Sequence, residues 1–572
     1  MIILGIHGNV FNTKGLVNES SASIVKGGVL LGCIAQERLT RKKVDGSFPY
    51  DAIDEVLRIT GLTVEDIDAI SITSSHPSEF NAKYLSAAIS TFLDTGVFLT
   101  NKIQRFLWFT VYNKLKTNEK LHFQLRGKDF SIIYQNHHFC HAASAYYPSG
   151  FQNAVVFTLD GGGDGLDGSV YIGDGSSLTL VSEVPHFQSP GTMYSALTHD
   201  LGFKRHRHEG KITGLAAYGN PDINKLGLEK LLKFDSKKNR FISKSIAAHH
   251  KALLEKSNYF FPKLDEFSRE DLAAGMQNIF ETEILEWISH NVKELEKQNK
   301  KIEKVCLAGG CFANVKLNQR IFELGCFDDI FVFPAMGDDG LSAGSALGTY
   351  YQLSKNADNK TFIESVYLGG GFSDEQIEKS LKQFNLEFTR YDEVELEIAR
   401  LLCENKVVAR YNGKMEYGPR ALGNRSVIAA ASDKSINDWL NKKFQRTEFM
   451  PFAPSITFEG APEFLENFND ELASEFMTIT YNIKPEQARK IPAVVHVDNT
   501  ARPQVVKKER NHSYHKIIEE FGKITGIPLV LNTSFNMHEE PIVYTPQDAI
   551  RGFMDAQLDV LAIGNYIVLN DN

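Results

Sequence analysis

The chain has 572 residues, 42% hydrophobic, 11% aromatic and 23% charged, which is the make-up of a globular protein with large cores. At ~150 residues per domain it has room for roughly two to four domains. A net charge of −9 leaves no electrostatic footprint for nucleic acid, and six cysteines without a Cys-x-x-Cys pair predict reduced thiols in a cytoplasm.

Residues 2–8 read as a strand entering a glycine turn, without the basic region of a signal peptide. Ser21–Val25, Gly27-Gly28 and Val29–Ala35 read as two strands joined by a Gly-Gly hairpin. The Phe/Trp-rich stretch 92–112 is broken by Asp94, Asn101, Lys102 and Arg105, so a buried helix is predicted there, and no run reaches the ~20 apolar residues of a membrane span. Next comes an Ala-rich stretch from Asn136 to Tyr147, free of Gly and Pro until Pro148 ends it, which predicts a helix. His137 and His141 are four apart and share one face, as in the zinc-peptidase helix but without its Glu.

Ala154–Leu159 is an apolar strand ending in Asp160 and the loop Gly161-Gly162-Gly163. Such a turn presents backbone N–H groups to anions, which makes Gly161 and Gly162 candidates for a nucleotide site. Strand, glycine turn and hairpin recur over 154–184 in the order seen at the N-terminus, which predicts an internally duplicated α/β domain of the actin/sugar-kinase class. In 204–219 a basic segment precedes a Gly/Ala run. Lys211 is there either a phosphate contact or part of a solvated charge cluster. Ser268 and Asp271 open a long helix whose apolar stripe runs from Leu272 to Val292. Val305–Ala308 is a buried strand feeding Gly309-Gly310 and Asn314 at the start of a helix, a ready anion site. A second acid turn, Gly337-Asp338-Asp339-Gly340, follows the apolar run 330–333. Two His on a helix and an Asp at each of two strand ends would suit Fe(II), Mn(II) or Zn(II). A His pair on an Ala-rich helix also packs readily in a core, and spacing alone leaves both readings open.

Residues 354–360 form a polar linker, and Ser373 with Gln376 caps a new helix, which marks a second domain. In that domain Arg420 and Arg425 lie in a glycine-punctuated loop, Lys443 and Arg446 follow, and Arg502 sits in a Thr-Ala-Arg-Pro turn. Guanidinium forks match phosphate and carboxylate, so the group predicts a site for a small, multiply anionic ligand. The strand Pro528–Leu531 ends in Asn532, Ser534 and Asn536, whose amides and hydroxyl could close that site.

Several motifs then coincide in order. They are Glu-Arg-Leu-Thr-Arg-Lys-Lys (37–43), His-His-Phe-Cys-His-Ala-Ala-Ser-Ala (137–145), Glu-Gly-Lys-Ile-Thr-Gly-Leu-Ala-Ala-Tyr-Gly (209–219) and Gly-Gly-Cys-Phe-Ala-Asn (309–314). Met-Glu-Tyr-Gly-Pro-Arg-Ala-Leu-Gly-Asn-Arg-Ser (415–426), Pro-Phe-Ala-Pro-Ser (451–455) and Asn-Thr-Ser-Phe-Asn (532–536) follow. Over nearly the whole chain this set resembles the ATP-dependent O-carbamoyltransferases that tailor antibiotics and nodulation factors. The resemblance implies a duplicated actin-like N-terminal domain (1–354), like the tRNA threonylcarbamoyl-transferase, and a YrdC-like C-terminal domain (366–572). Carbamoyl phosphate and ATP (with Mg(II)) would give carbamoyl-adenylate and pyrophosphate in the second. A metal in the first, Fe(II) ahead of Mn(II) or Zn(II), would serve transfer to a small-molecule hydroxyl, releasing AMP.

Carried over by position, the metal ligands would be His137, His141, Asp160 and Asp338. Arg420, Arg425, Arg446, Arg502, Asn532 and Ser534 would line the carbamoyl-phosphate and nucleotide pocket, and Gly309, Gly310 and Asn314 would hold the adenylate. A homodimer without nucleic-acid or membrane partners is the expectation for this size and class. Where relatives carry a His-Asp pair, this chain has Asn18-Glu19, so His7, Glu19 or a water at the metal would take the base role. Met450 replaces an Arg of the pattern, and Met537–Pro541 replaces a loop with Gly before Glu-Pro. Three other readings are a tRNA-modifying threonylcarbamoyl enzyme, a metal-dependent peptidase, and a non-catalytic ATP-binding module.

Overall fold

The computed structural model describes residues 1–9, 19–73, 122–222, 231–243, 266–300, 302–354, 363–445 and 451–570. The predicted helix at 92–112, the segment 10–18 with Asn18, all of the 354–360 linker but Ser354, Arg446 and Met450 lie outside them. The chain forms two compact units. The first comprises 1–8, 23–30 and 63–363, and the second 9–22, 31–62 and 364–572. The division therefore differs from a sequential cut at the polar linker, because several side chains and backbone groups of residues 31–62 bond the C-terminal part. Arg38 donates to the Gly418 carbonyl, Arg41 to those of Ile542 and Pro541, and the Cys33 N–H to that of Leu368.

Apart from one small hairpin, two sheets hold the described strands before residue 354. The strands β1 (Ile2–His7), β2 (Ser21–Lys26), β3 (Val29–Ala35), β4 (Ala69–Thr73), β5 (His122–Leu125) and β6 (Lys128–Gln135) form one, in the order β3-β2-β1-β4-β6-β5. The other is built of β7 (Asn153–Gly163), β8 (Leu166–Asp174) and β9 (Ser177–Pro185). After the small hairpin β10 (Leu232–Asp235) and β11 (Arg240–Ser243), β12 (Lys304–Ala308) and β13 (Asp329–Val332) complete it in the order β13-β12-β7-β8-β9. Leaving out edge strand β5, both sheets place a hairpin beside the first strand and two parallel strands on its other side. This shared order is the duplicated actin-like arrangement expected from the two glycine-turn hairpins. β1, β7, β12 and β13 are apolar, and most of their side chains are buried.

The helices His137–Tyr146 and Leu341–Leu353 pack against each other at close range, since a Cβ on Gly344 would lie 1.8 Å from the Cys140 carbonyl oxygen. The long helix Arg269–Lys297 starts at Ser268, whose hydroxyl caps Asp271, and buries the stripe containing Leu272, Met276, Phe280, Ile284 and Trp287.

The second unit is a mixed α/β structure around eight strands. These are β14 (Thr389–Arg390), β15 (Val408–Tyr411), β16 (Arg425–Ala429), β17 (Ala453–Thr457), β20 (Gln504–Val506), β21 (Leu529–Ser534), β22 (Val560–Ile563) and β23 (Tyr566–Leu569), with β18 (Tyr481–Asn482) and β19 (Thr500–Ala501) as a separate pair. The order is β14-β23-β22-β15-β16-β21-β17-β20. Helices Val394–Cys403 and His512–Thr525 cover it with Ile398, Leu402, Ile517, Ile518 and Phe521, which meet Val408, Ile428 and Val530 in one core. Ser373 begins a helix with a complete capping box. Among the described residues no helix is long and apolar enough to cross a membrane.

Candidate metal centre and anion pocket

The helix His137–Tyr146 is capped by Asn136, whose side chain accepts from the N–H groups of His138 and Phe139, and the His137 N–H is held by Asp164 at 2.8 Å. Both His137 and His141 then turn their Nε2 atoms toward Asp160 at the end of β7. Asp160 Oδ2 lies 2.7 Å from one and 3.1 Å from the other. Asp338, opening the short 3-10 turn after β13, places Oδ1 3.7 Å from each of the same nitrogens. The four donor atoms lie within 4.8 Å of one another. Two imidazole nitrogens and two carboxylate oxygens are a borderline-to-hard donor set that fits Fe(II), Mn(II) or Zn(II).

Electrostatics support that fit. Burial raises the Asp160 carboxyl, but the facing His138 and His137 outweigh it and hold Asp160 well below the carboxylate range. Asp338 is likewise brought to about 2, because hydrogen bonding to His141 and the charge of His137 outweigh its burial. Burial would lower His137, yet the Asp160 and Asp338 carboxylates raise it to about 9. The carboxylates of Asp160 and Asp338 thus favour a positive charge beside them, as the upward shift of His137 reflects. His138, between the two ligands in sequence, is a support that spacing did not single out. It bonds Thr158 and the Leu166 carbonyl and lies 3.6 Å from Asp160 Oδ1. His7 closes β1 next to this cluster, with its ring edge-on to His137. Burial pulls its pKa down to about 4 against the opposing pull of Asp338. Glu19 belongs to the second unit.

The glycines read as nucleotide contacts have other reasons to be glycine. β7 runs through Gly161 to Gly163 as strand. A Cβ on Gly162 would lie 2.2 Å from the His186 ring, and one on Gly163 2.2 Å from the His137 ring. Gly162 donates to Asp160 Oδ1, and the Gly161 carbonyl accepts from Thr192. Their backbone therefore shapes the metal centre. Asp167 holds His186 at 2.7 Å behind them, another pair without a sequence signal. At the other turn, a Cβ on Gly309 would strike the Leu159 backbone, while the same construction at Gly310 meets open space. A 3-10 turn, Gly310–Ala313, comes before the helix Val315–Phe322, which departs from the direct strand-to-helix entry expected. Asn314 caps that helix and exchanges hydrogen bonds with Gln277. Lys211 is buried in the first turn of the helix Glu209–Ala216, with its ammonium 5.9 Å from the Phe203 ring centre, so it is no solvated surface charge.

In the second unit the arginines part company. Arg420 and Arg502 are neighbours whose Nε atoms are buried, and neither guanidinium has a hydrogen bond or ion pair to any described residue. Burial brings Arg420 to about 10. Arg502 is held well below the usual arginine range by burial and then by the like charge of Arg420. Two neighbouring cations with buried Nε atoms and no carboxylate bonded to either among the described residues are suited to an anion. Arg425 is corrected to a framework role. Its fork donates to the carbonyls of Asn412, Asn424, Gly413 and Gly370 and stacks 3.7 Å over the Tyr411 ring. Lys443 is also elsewhere, bonded to the Gln557 carbonyl and lying over Trp439.

Asn532 Nδ2 reaches the Ala421 carbonyl, Ser455 and Gln504, while its buried Oδ1 has no partner among the described residues. Ser534 and Asn536 bond each other, and Asn536 ties down the 537–540 loop. The missed residue here is Glu416, inside the motif itself. Its Oε1 accepts from the N–H groups of Leu422, Asn424 and Arg425 at 2.7, 3.2 and 3.1 Å and so folds the loop that carries Arg420.

The family profile described as Carbamoyltransferase N-terminus matches residues 10–347, and that described as Carbamoyltransferase C-terminus matches residues 399–570. Nodulation protein NolNO of Sinorhizobium fredii is 30% identical over 591 residues, covering 99% of this chain and 82% of its own. Nodulation protein NolO of Bradyrhizobium diazoefficiens is 33% identical over 438 residues, covering 76% of this chain and 78% of its own. Protein MJ1051 of Methanocaldococcus jannaschii is 33% identical over 563 residues, covering 96% of this chain and 98% of its own. With both of its parts matched in order, the chain belongs to the carbamoyltransferase family.

Proposed function

We propose that this carbamoyltransferase is ATP-dependent and works in two half-reactions, one in each unit. In the second unit carbamoyl phosphate loses its phosphoryl group to water, giving carbamate and inorganic phosphate. A carbamate oxygen then attacks the α-phosphorus of Mg(II)-ATP, the bond to the β-phosphate oxygen breaks, and pyrophosphate leaves. In the first unit the oxygen of a small-molecule hydroxyl attacks the carbamoyl carbon, the bond to the adenylate oxygen breaks, and AMP and a proton are released. The observation that carries this reading is the pair Arg420 and Arg502, neighbours with buried Nε atoms and no counter-ion among the described residues.

Carbamoyl phosphate is a small dianion, so the two guanidiniums bind it and offset charge that builds up as the adenylate forms. Glu416 keeps Arg420 in place by fixing the loop backbone, and Asn532 offers an unused acceptor oxygen beside that loop. In the first unit His137, His141, Asp160 and Asp338 would hold Fe(II), with Mn(II) and Zn(II) as alternatives. When bound, the ion supplies Lewis-acid polarisation of the carbamoyl carbonyl. Asp164 and His138 keep the two ligating imidazoles and Asp160 in register.

The test is pyrophosphate release from ATP in the presence and absence of carbamoyl phosphate, run with Arg420→Ala and His137→Ala. Arg420→Ala is expected to stop the release and keep its metal. His137→Ala is expected to lose the metal and transfer yet still release pyrophosphate. Unchanged release by Arg420→Ala, or release that depends on tRNA, would count against the proposal.

A further inference from the structure

His7 is a buried imidazole, 6% exposed, that the scheme above leaves unused. Neither its Nδ1 nor its Nε2 has a hydrogen-bond partner among the described residues. A neutral imidazole has one N–H and one lone pair to satisfy, and leaving each unmet in the interior costs roughly 1–3 kcal/mol. An aliphatic side chain would fill the same space without that cost, so the ring's polar atoms call for a partner that the described residues do not supply.

Position indicates what the partner is. The rings of His137 and His141, which share the centre, lie 4.8 Å apart, whereas His7 lies 6.5 Å from His137 and outside the four-donor group. His7 thus lies beside the four-donor group without belonging to it. The four donors are also unevenly covered. Their side chains are 0% exposed at His141, 7% at Asp160, 11% at His137 and 31% at Asp338. Asp338 is therefore the most open side of the group, and it is also the charged group that acts most strongly on His7.

We propose that His7 is the hydrogen-bonding contact for the oxygen ligand that enters the metal centre beside Asp338, which in the transfer step is the acceptor's hydroxyl. This rests on the two-half-reaction reading above. It makes His7 a positioning residue for the incoming alcohol and gives the otherwise unmatched imidazole its partner.

The experiment loads the full chain with Co(II), which takes the same donor set, and follows formate, a small oxygen ligand, through the visible bands of the ion. His7→Leu is expected to bind Co(II) within about twofold of the unaltered chain but formate at least about tenfold more weakly. His7→Gln, which keeps a hydrogen-bonding group, is expected to recover part of the loss, and thermal melting checks that both variants fold. Loss of Co(II) from the variants would make His7 a ligand and overturn the proposal. Equal formate affinity in all three proteins, or no Co(II) uptake by the unaltered chain, would overturn it as well. The readout needs neither ATP nor carbamoyl phosphate. Failure of the two-step scheme would therefore show up separately, as pyrophosphate release that does not depend on carbamoyl phosphate in the same preparation.

Discussion

Arg420 and Arg425 occupy the same glycine-punctuated loop five positions apart, yet one has no hydrogen bond to a described residue and the other is spent on the framework. Arg425 opens β16 opposite Tyr411, so the sheet register lays its guanidinium on that ring and under four carbonyls. Arg425→Ala is accordingly expected to destabilise the protein by about 3 kcal/mol or more, because it strips charged donors from buried carbonyls. Chemical denaturation measures this, and a variant with unaltered stability but impaired ATP binding would reverse the assignment. Sequence could not separate the two arginines, since residue type and loop context are identical and only strand register distinguishes them. His137 gives a prediction in pH. Its folded value of about 9 lies above the ordinary 6.5, so its pairing with Asp160 contributes stability that is complete below about 6.5 and lost as pH climbs through 9. His7 and His138, shifted downward, weaken the fold only on the acid side of that window. Chelator-treated protein is expected to melt at progressively lower temperature from pH 6.5 to 9, and metal-loaded protein to lack this decline because the ion has displaced the proton.

At the level of elements, the proposed metal centre is a product of how β7 ends. The strand continues through three glycines, and the His137 ring lies where a Cβ of Gly163 would be. Gly163→Ala is expected to push that ring aside and lower metal affinity about tenfold or more, with the helix and sheet intact. Metal analysis beside circular dichroism would read both. The helix, the two acid turns and the duplicated hairpins were legible in sequence because each has a local period or a glycine signature. The role of the glycines was not, since a backbone that yields to a ring and one that yields to a phosphate use the same residue. Glu416 escaped for a related reason. A carboxylate that collects three backbone N–H groups has no spacing rule, only a loop that closes on it.

For the whole molecule, the division into an actin-like part and an α/β part could be read from the chain, but the membership of residues 31–62 could not. Their partners lie more than three hundred positions away, and long-range pairing of this kind leaves no local pattern. Arg41 on the carbonyls of Pro541 and Ile542, Arg38 on that of Gly418, and Tyr544 bonded to Glu55 all cross that distance. An isolated fragment 364–572 is therefore expected to unfold at lower denaturant concentration than the same unit within the full chain, and matching midpoints would refute this. The discontinuity also matters during biosynthesis. A ribosome adding roughly 5–20 residues per second needs on the order of fifteen to sixty seconds to travel from residue 62 to 364. Throughout that interval the nascent helix Tyr50–Thr60 waits with its C-terminal counterparts not yet made, which makes it a natural early client for a chaperone at the exit tunnel.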